Sequence, residues 1–279
     1  MAWMKKLLIA GYGDIARRAA PRLEARYAVQ PLSRRHGFDL DRPETLAALQ
    51  GADAVLHCAP PPNTGTQDTR TRHLLAALAK GRILPARVLY VSTSGVYGDC
   101  GGAHVDESRA VRPQTDRARR RVDAERQLAL WCSERSVVLV ILRVPGIYAA
   151  DRLPLERLRA GTPVLRAEDD VYTNHVHAED LAAIVVRALA NGAAAGTYNA
   201  SDDSEIHMGD WFDLVAERAG LPRPPRIARA EAAGRIAPEL LCFMSESRRL
   251  ANRRMKENLG VRLRFPTVFE GVPRPMGAV

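Results

Sequence analysis

The chain has 279 residues, 46% apolar and 26% charged, a globular mix that excludes a disordered or collagen-like chain and leaves one large domain or two small ones. Its 41 basic against 32 acidic residues give a formal net charge of +9, and all but four of the basic residues (Lys5, Lys6, Lys80, Lys256) are arginine. No apolar run reaches the ~18 residues of a membrane span, and four cysteines without CxxC or zinc spacing (Cys58, Cys100, Cys132, Cys242) read as thiols of a reducing cytoplasm, with no metal site.

The start, Met1 to Ala10, is basic and then apolar, but Gly11-Tyr12-Gly13 with Asp14 and Arg17 follow at once. That reads as a buried first strand rather than a signal peptide. Short, often β-branched runs follow at Ala28–Leu32, Ala54–Cys58, Val88–Ser92 and Val137–Leu142, separated by helical patterns at about 14–26, 43–50, 67–80 and 115–134. Such alternation implies an α/β fold, a doubly wound parallel sheet of Rossmann type. Beyond residue 150 the pattern changes: a helix over 178–191, a short strand at Gly196–Ala200, a second helix over 209–219, then a Pro- and Arg-rich stretch without a period. The sheet is expected to finish near residue 200. The expected division is a dinucleotide-binding domain over 1–150, completed by about 173–200, and a smaller mixed substrate lobe from 201–279 with 151–172.

The segment Gly11-Tyr12-Gly13-Asp14-Ile15-Ala16 places G-x-G-x-x-A between the first strand and the first helix. Gly11 permits the tight turn, Gly13 lets the backbone approach a pyrophosphate, and Ala16 allows close packing of helix on strand. The helix N-terminus at Asp14, Ile15 and Ala16 offers free N–H groups to the phosphates. An NAD site usually carries an acid at the end of the second strand, but here that strand ends in Ser33-Arg34-Arg35. Two guanidiniums suit a 2′-phosphate, which predicts NADP(H) as the preferred cofactor with NAD(H) as the lesser one. Two solvated surface arginines are the plainer alternative. Asp39, placed after an expected third strand, either caps the adenine amino group or is a turn carboxylate. Ala59 and Pro60, after the strand ending at Cys58, and Ser92, at the end of the fourth run, complete the expected cofactor contacts.

Four stretches together resemble the extended short-chain dehydrogenase/reductase family of NAD(P)-dependent epimerases and dehydratases. They are Gly11–Ala16, Ser92-Thr93-Ser94-Gly95-Val96-Tyr97-Gly98-Asp99, Leu142-Arg143-Val144-Pro145-Gly146-Ile147-Tyr148, and Asn174-His175-Val176-His177-Ala178-Glu179-Asp180-Leu181-Ala182. The tail, from Ser247-Arg248-Arg249-Leu250-Ala251-Asn252 through Leu259-Gly260-Val261 to Pro266-Thr267, resembles an atypical bacterial branch. The resemblance implies a Ser/Thr, a Tyr and a Lys four residues after the Tyr as catalytic groups. Thr93 fits the first position. Aligning Ala124-Glu125 with the family's helix puts Arg117 at the Tyr position and Arg121 at the Lys position, and no tyrosine of the chain has a lysine four residues on. Arginine stays protonated and cannot replace the Tyr as general acid or base, although Arg121 can still hold a ribose or phosphate oxygen. Tyr97, Tyr148, His175 and His177 are the remaining candidates for proton transfer. Tyr97 is equally a packing residue and the two histidines helix caps.

The densest basic run, Arg117-Ala118-Arg119-Arg120-Arg121, allows a solvated helix face partly offset by Asp116, Asp123 and Glu125, a lining for an anionic substrate, or a nucleic-acid contact. The last is disfavoured because no aromatic lies within 112–130. The expected function is therefore an NADP(H)-binding oxidoreductase or epimerase acting on a small polar substrate, such as a nucleotide sugar or another anion. The alternative is a non-catalytic NADP(H)-binding sensor. The expected partner is a small molecule, with neither nucleic acid nor membrane. Family members often pair through the helices at about 67–80 and 115–134, which makes a homodimer a candidate.

Overall fold

The computed structural model describes residues 4–274, so residues 1–3 and 275–279 of the two expected domains lie outside it. Six strands form the central sheet: β1 Lys5–Ala10, β2 Tyr27–Leu32, β3 Ala54–His57, β4 Arg87–Thr93, β5 Val138–Val144 and β6 Gly196–Asn199. Every pairing is parallel, in the order β6-β5-β4-β3-β1-β2. The long helices are α1 Asp14–Glu24, α2 Thr69–Lys80, α3 Asp116–Glu134, α4 Ala178–Ala188 and α5 Met208–Arg218.

Strand side chains alternate between faces, and β1 shows both sides of the sheet. Leu7 and Ile9 share a cluster with Ala16, Ala19 and Leu23 of α1 and Leu181, Ile184 and Val185 of α4. Leu8 and Ala10 belong instead with Leu74, Leu75 and Leu78 of α2 and Ala124, Leu128 and Trp131 of α3. The sheet is thus covered on both faces, which is why its strands read as continuous apolar runs. Asp68 caps α2 by accepting the Thr71 N–H (3.1 Å), and Thr115 caps α3 by accepting the Ala118 N–H (3.1 Å).

Two local expectations differ from the structure. The helix expected over 43–50 is only a 3₁₀ turn, Pro43–Leu46, and the third strand comes after Asp39, at Ala54–His57, not before it. The Asp39 carboxylate accepts the Asp41 N–H (3.0 Å), while the Asp39 N–H donates to Thr45 Oγ1 (2.9 Å). Side-chain bonds of this kind compete with helix and ladder, and eight residues are too few to offset helix nucleation.

A second apolar cluster joins Tyr148, Leu158, Val164 and Leu165 to Ile206, Trp211, Phe212 and Val215 of the α5 region and to Ile227, Leu240 and Met244. The stretch after α5 that lacks a period contributes a two-residue strand, Arg226–Ile227, parallel to Val164–Leu165. Its partner lies some sixty residues back in the chain, so no local pattern marks it. This cluster sits beside the carboxyl ends of β4 and β5.

Candidate functional site

The carboxyl ends of β1, β2 and β3 open into a cleft of about 340 Å³ lined by Gly11, Gly13, Ser33, Arg34, Arg35, Asp39, Ala59 and Pro60. In this sheet β1 is flanked by β2 on one side and β3 on the other, so the cleft lies at the point where the strand order reverses, where open α/β sheets hold ligands. Gly11 adopts φ +86°, and a Cβ there would lie 2.4 Å from the Ala59 backbone nitrogen. Gly13 precedes α1 as its N-cap, and a Cβ there would meet nothing within 4 Å. The turn is therefore pressed against β3 at its first glycine and open at its second. Arg34 and Arg35 stand exposed on the 3₁₀ turn Arg34–His36, with no carboxylate within 4.0 Å among the described residues. Asp39 lines the cleft and also makes its turn bond to Asp41. Sequence reasoning missed Arg17 and Arg70, which also line the cleft. Arg17 is one helical turn beyond Gly13, a spacing that could have revealed it. Arg70 is held by both oxygens of Asp41 (2.7 and 2.6 Å) and by the Pro60 carbonyl (3.0 Å), and this pairing keeps the Asp41 carboxyl below the usual range.

A larger cleft, of about 620 Å³, lies at the ends of β4 and β5 and against the second cluster. Thr93, the last residue of β4, lines it and accepts the Gly95 N–H on Oγ1 (3.3 Å). Tyr148 and His175 line it as well. The Tyr148 hydroxyl is buried and donates to the Thr267 carbonyl (3.3 Å), and desolvation raises its pKa far above the phenol range. His175 packs on Trp211 (ring centroids 4.2 Å), and burial pushes its pKa down to about 3. Its Nδ1 has no hydrogen-bond partner among the described residues. Both groups keep one protonation state near neutrality, neutral phenol and neutral imidazole. Arg152 spans the space between the two clefts: it lines the larger one and donates to Asp14 (2.9 Å) at the start of α1.

The model of the NAD dependent epimerase/dehydratase family matches residues 6–201, more than half of the chain. The chain belongs to that family. No curated protein matches it. A conserved protein of Silicibacter pomeroyi described as functionally unknown is similar at 28% identity, covering 96% of each chain with TM-score 0.75. The human epimerase family protein solved with NADPH shares the fold at 18% identity and TM-score 0.75, covering 96% of this chain and 97% of that one. The Thermus thermophilus UDP-glucose 4-epimerase solved with NAD does so at 20% identity and TM-score 0.74, covering 98% and 100%.

Against the epimerase/dehydratase pattern, several residues stand elsewhere than their motifs suggest. Tyr97 is 1% exposed and lines neither cleft. Its hydroxyl donates to Asn199 Oδ1 (2.8 Å), and Arg143 lies over its ring at 4.8 Å. Its side chain is part of the interior packing, away from both clefts. Ser92 is equally withdrawn: its hydroxyl donates to Glu125 (2.6 Å), whose carboxylate pairs with the buried Arg143 (2.8 Å). Arg121 ties α3 to β4 by donating to the Tyr90 hydroxyl (3.0 Å) and the Val91 carbonyl (2.9 Å), and it too lines neither cleft. His177 accepts the Glu179 N–H as the cap of α4. Asp14 is engaged by Arg18 and Arg152, Ile15 packs against the core and Ala16 is buried; their side chains do not line the smaller cleft. Arg117, expected from the sequence at the family's tyrosine position, does line the larger one. Among the described residues no group of three or more His, Cys, Asp or Glu gathers to hold a metal, and no helix is long and apolar enough to cross a membrane.

Proposed function

We propose that the chain binds a nicotinamide dinucleotide in the smaller cleft, NADP(H) in preference to NAD(H), and acts on a small polar or anionic substrate in the larger one. The observation that carries this reading is the convergence of Gly11, Gly13, Ser33, Arg34, Arg35, Asp39, Ala59 and Pro60 on one cleft at the reversal of strand order. The open Cα of Gly13 leaves room for a pyrophosphate at the N-terminus of α1. Arg34 and Arg35 are charged, exposed and uncommitted, as a 2′-phosphate dianion requires. Solved relatives support the cofactor class: one from Pseudomonas aeruginosa carries NADPH and the Thermus epimerase carries NAD.

When bound, the nicotinamide supplies hydride transfer. Thr93, at the mouth of β4, holds the reacting carbonyl or alcohol oxygen through its hydroxyl. Arg117 cannot move a proton at any working pH. A second reading, an NADP(H)-binding sensor without turnover, is favoured by one observation: neither Tyr148 nor His175 titrates near neutrality in the cleft that holds Thr93.

Fluorescence titration with NADPH and NADH tests the cofactor assignment. Wild type binds NADPH at least about tenfold more tightly, and Arg34→Ala with Arg35→Ala abolishes the difference, each charge-assisted contact contributing on the order of 1.5 kcal/mol. Equal affinities in wild type overturn the preference. Turnover then separates the two readings. Hydride transfer on a substrate panel that stops in Thr93→Val with cofactor binding retained supports the enzyme, whereas tight binding with no oxidation of NADPH supports the sensor.

A further inference from the structure

The charged groups of the larger cleft are unequally committed. Arg152 is engaged by Asp14 (2.9 Å), and Arg248 by Glu246 (2.9 Å) and the Gly98 carbonyl (2.6 Å). Glu246 is the one carboxylate among the described lining side chains, so this pairing leaves no free acid among them. Arg117 and Arg157 have no carboxylate within 4.0 Å among the described residues; Arg157 stands exposed on the short helix Leu155–Arg159, whereas Arg117 lies over the Phe243 ring at 5.5 Å. The acids of its own helix are occupied: Asp116 by Arg119 (2.6 Å), Glu125 by Arg143 (2.8 Å), and Asp123 by the Asp68 N–H (2.7 Å) and Gln127 (2.6 Å). Partial burial and the neighbouring Arg121 and Arg120 depress the Arg117 pKa, a penalty that a bound anion removes.

The rest of the wall is more apolar than polar, and part of its polar complement is already spent. Asn174 donates to the Arg248 carbonyl (2.9 Å) and accepts the Leu250 N–H (2.8 Å), and Thr115 is spent on the cap of α3. The same cleft is lined by Ile147, Met208, Trp211, Phe212, Leu240 and Phe243. A sugar carries a hydroxyl on nearly every carbon, and hydroxyls desolvated against such a wall lose free energy unless each finds a partner. A hydrocarbon or aromatic body gains it.

We propose that this cleft takes a predominantly apolar molecule bearing one carboxylate, the carboxylate on Arg117 and the apolar body against Met208, Trp211, Phe212 and Leu240. The inference rests on the larger cleft being the substrate site and narrows the substrate to an aryl or alkyl carboxylate rather than a nucleotide sugar.

Isothermal titration of the full chain with 4-phenylbutyrate, 4-phenylbutyramide and UDP-glucose tests it. The acid binds at least about tenfold more tightly than its amide and than UDP-glucose, and Arg117→Gln removes the acid's advantage while leaving the amide unchanged. Equal binding of acid and amide, tighter binding of UDP-glucose, or no binding of the acid overturns the proposal. The comparison of acid with amide needs wild type alone, so it decides even where the variant fails to fold. NADPH titration reads the other cleft independently. Normal NADPH binding without acid binding refutes this inference only, and loss of NADPH binding refutes the cofactor reading only.

Discussion

Gly11 and Gly13 stand two residues apart and answer to different constraints. At Gly11 the backbone is left-handed and touches β3, so any side chain is strained and collides with Ala59. At Gly13 the backbone is ordinary for a helix N-cap and the space beside it is open. Gly11→Ala is therefore expected to destabilise the fold by more than about 2 kcal/mol, seen as a drop in urea midpoint. Gly13→Ala is expected to leave that midpoint almost unchanged and to weaken NADPH binding roughly tenfold or more, because its methyl group takes the room of the pyrophosphate. A Gly13→Ala protein that binds NADPH like wild type would show that the phosphates lie elsewhere. The G-x-G-x-x-A spacing identified both glycines but could not tell their roles apart, since the distinction depends on Ala59, which comes 46 to 48 residues later in the chain.

At the scale of the element, α3 shows how one amphipathic pattern hides several functions. Its buried side, Ala124, Leu128 and Trp131, was legible from sequence because 3.6-residue periodicity places those positions on one stripe. The commitments of its charged residues were not legible. Glu125 looks like a partner for the arginines of its own helix, yet it turns inward to Arg143 on β5 and Ser92 on β4, with both guanidinium and carboxylate under 10% exposed. Removing one member of such a pair leaves a buried charge alone, so Glu125→Ala is expected to cost about 3–5 kcal/mol in urea denaturation. Glu125→Leu with Arg143→Met should recover most of that loss, because an apolar pair needs no partner. Failure of the double variant to recover stability would mean that the charges also organise the ends of β4 and β5. The same redistribution of partners leaves Arg117 facing the cleft with no carboxylate partner among the described residues.

For the whole molecule, the charge of +9 is spread through roles that composition cannot separate. Some guanidiniums are surface pairs, Arg143 and Arg248 are buried in ion pairs, Arg121 is a tether, and Arg34, Arg35 and Arg117 are left to face the clefts. Stability should also carry a pH signature. His57 is fully buried at the end of β3, its Nε2 2.8 Å from Thr71 Oγ1, and desolvation, with a smaller push from Arg121, lowers its pKa to about 3. The unfolded chain takes up this proton below about pH 6.5 while the folded chain does not, so the stability that neutral His57 contributes above pH 6.5 falls as the pH drops toward 3. His57→Gln removes that dependence. Its destabilisation relative to wild type is expected to shrink by about 2 kcal/mol between pH 7 and pH 5 in urea titrations. An unchanged difference would mean that His57 takes up its proton in the folded chain as readily as in the unfolded one. Sequence by itself determined the parallel α/β sheet and the glycine turn and placed two arginines at the end of β2, because periodicity and motif spacing are local. Only the tertiary structure decided that Tyr97 and Ser92 are interior, that Arg121 is a tether, that Arg117 has no carboxylate partner among the described residues and that the larger cleft is mostly apolar. Those outcomes depend on which distant side chains claim each hydrogen bond and each charge, and that competition is settled only when the elements pack.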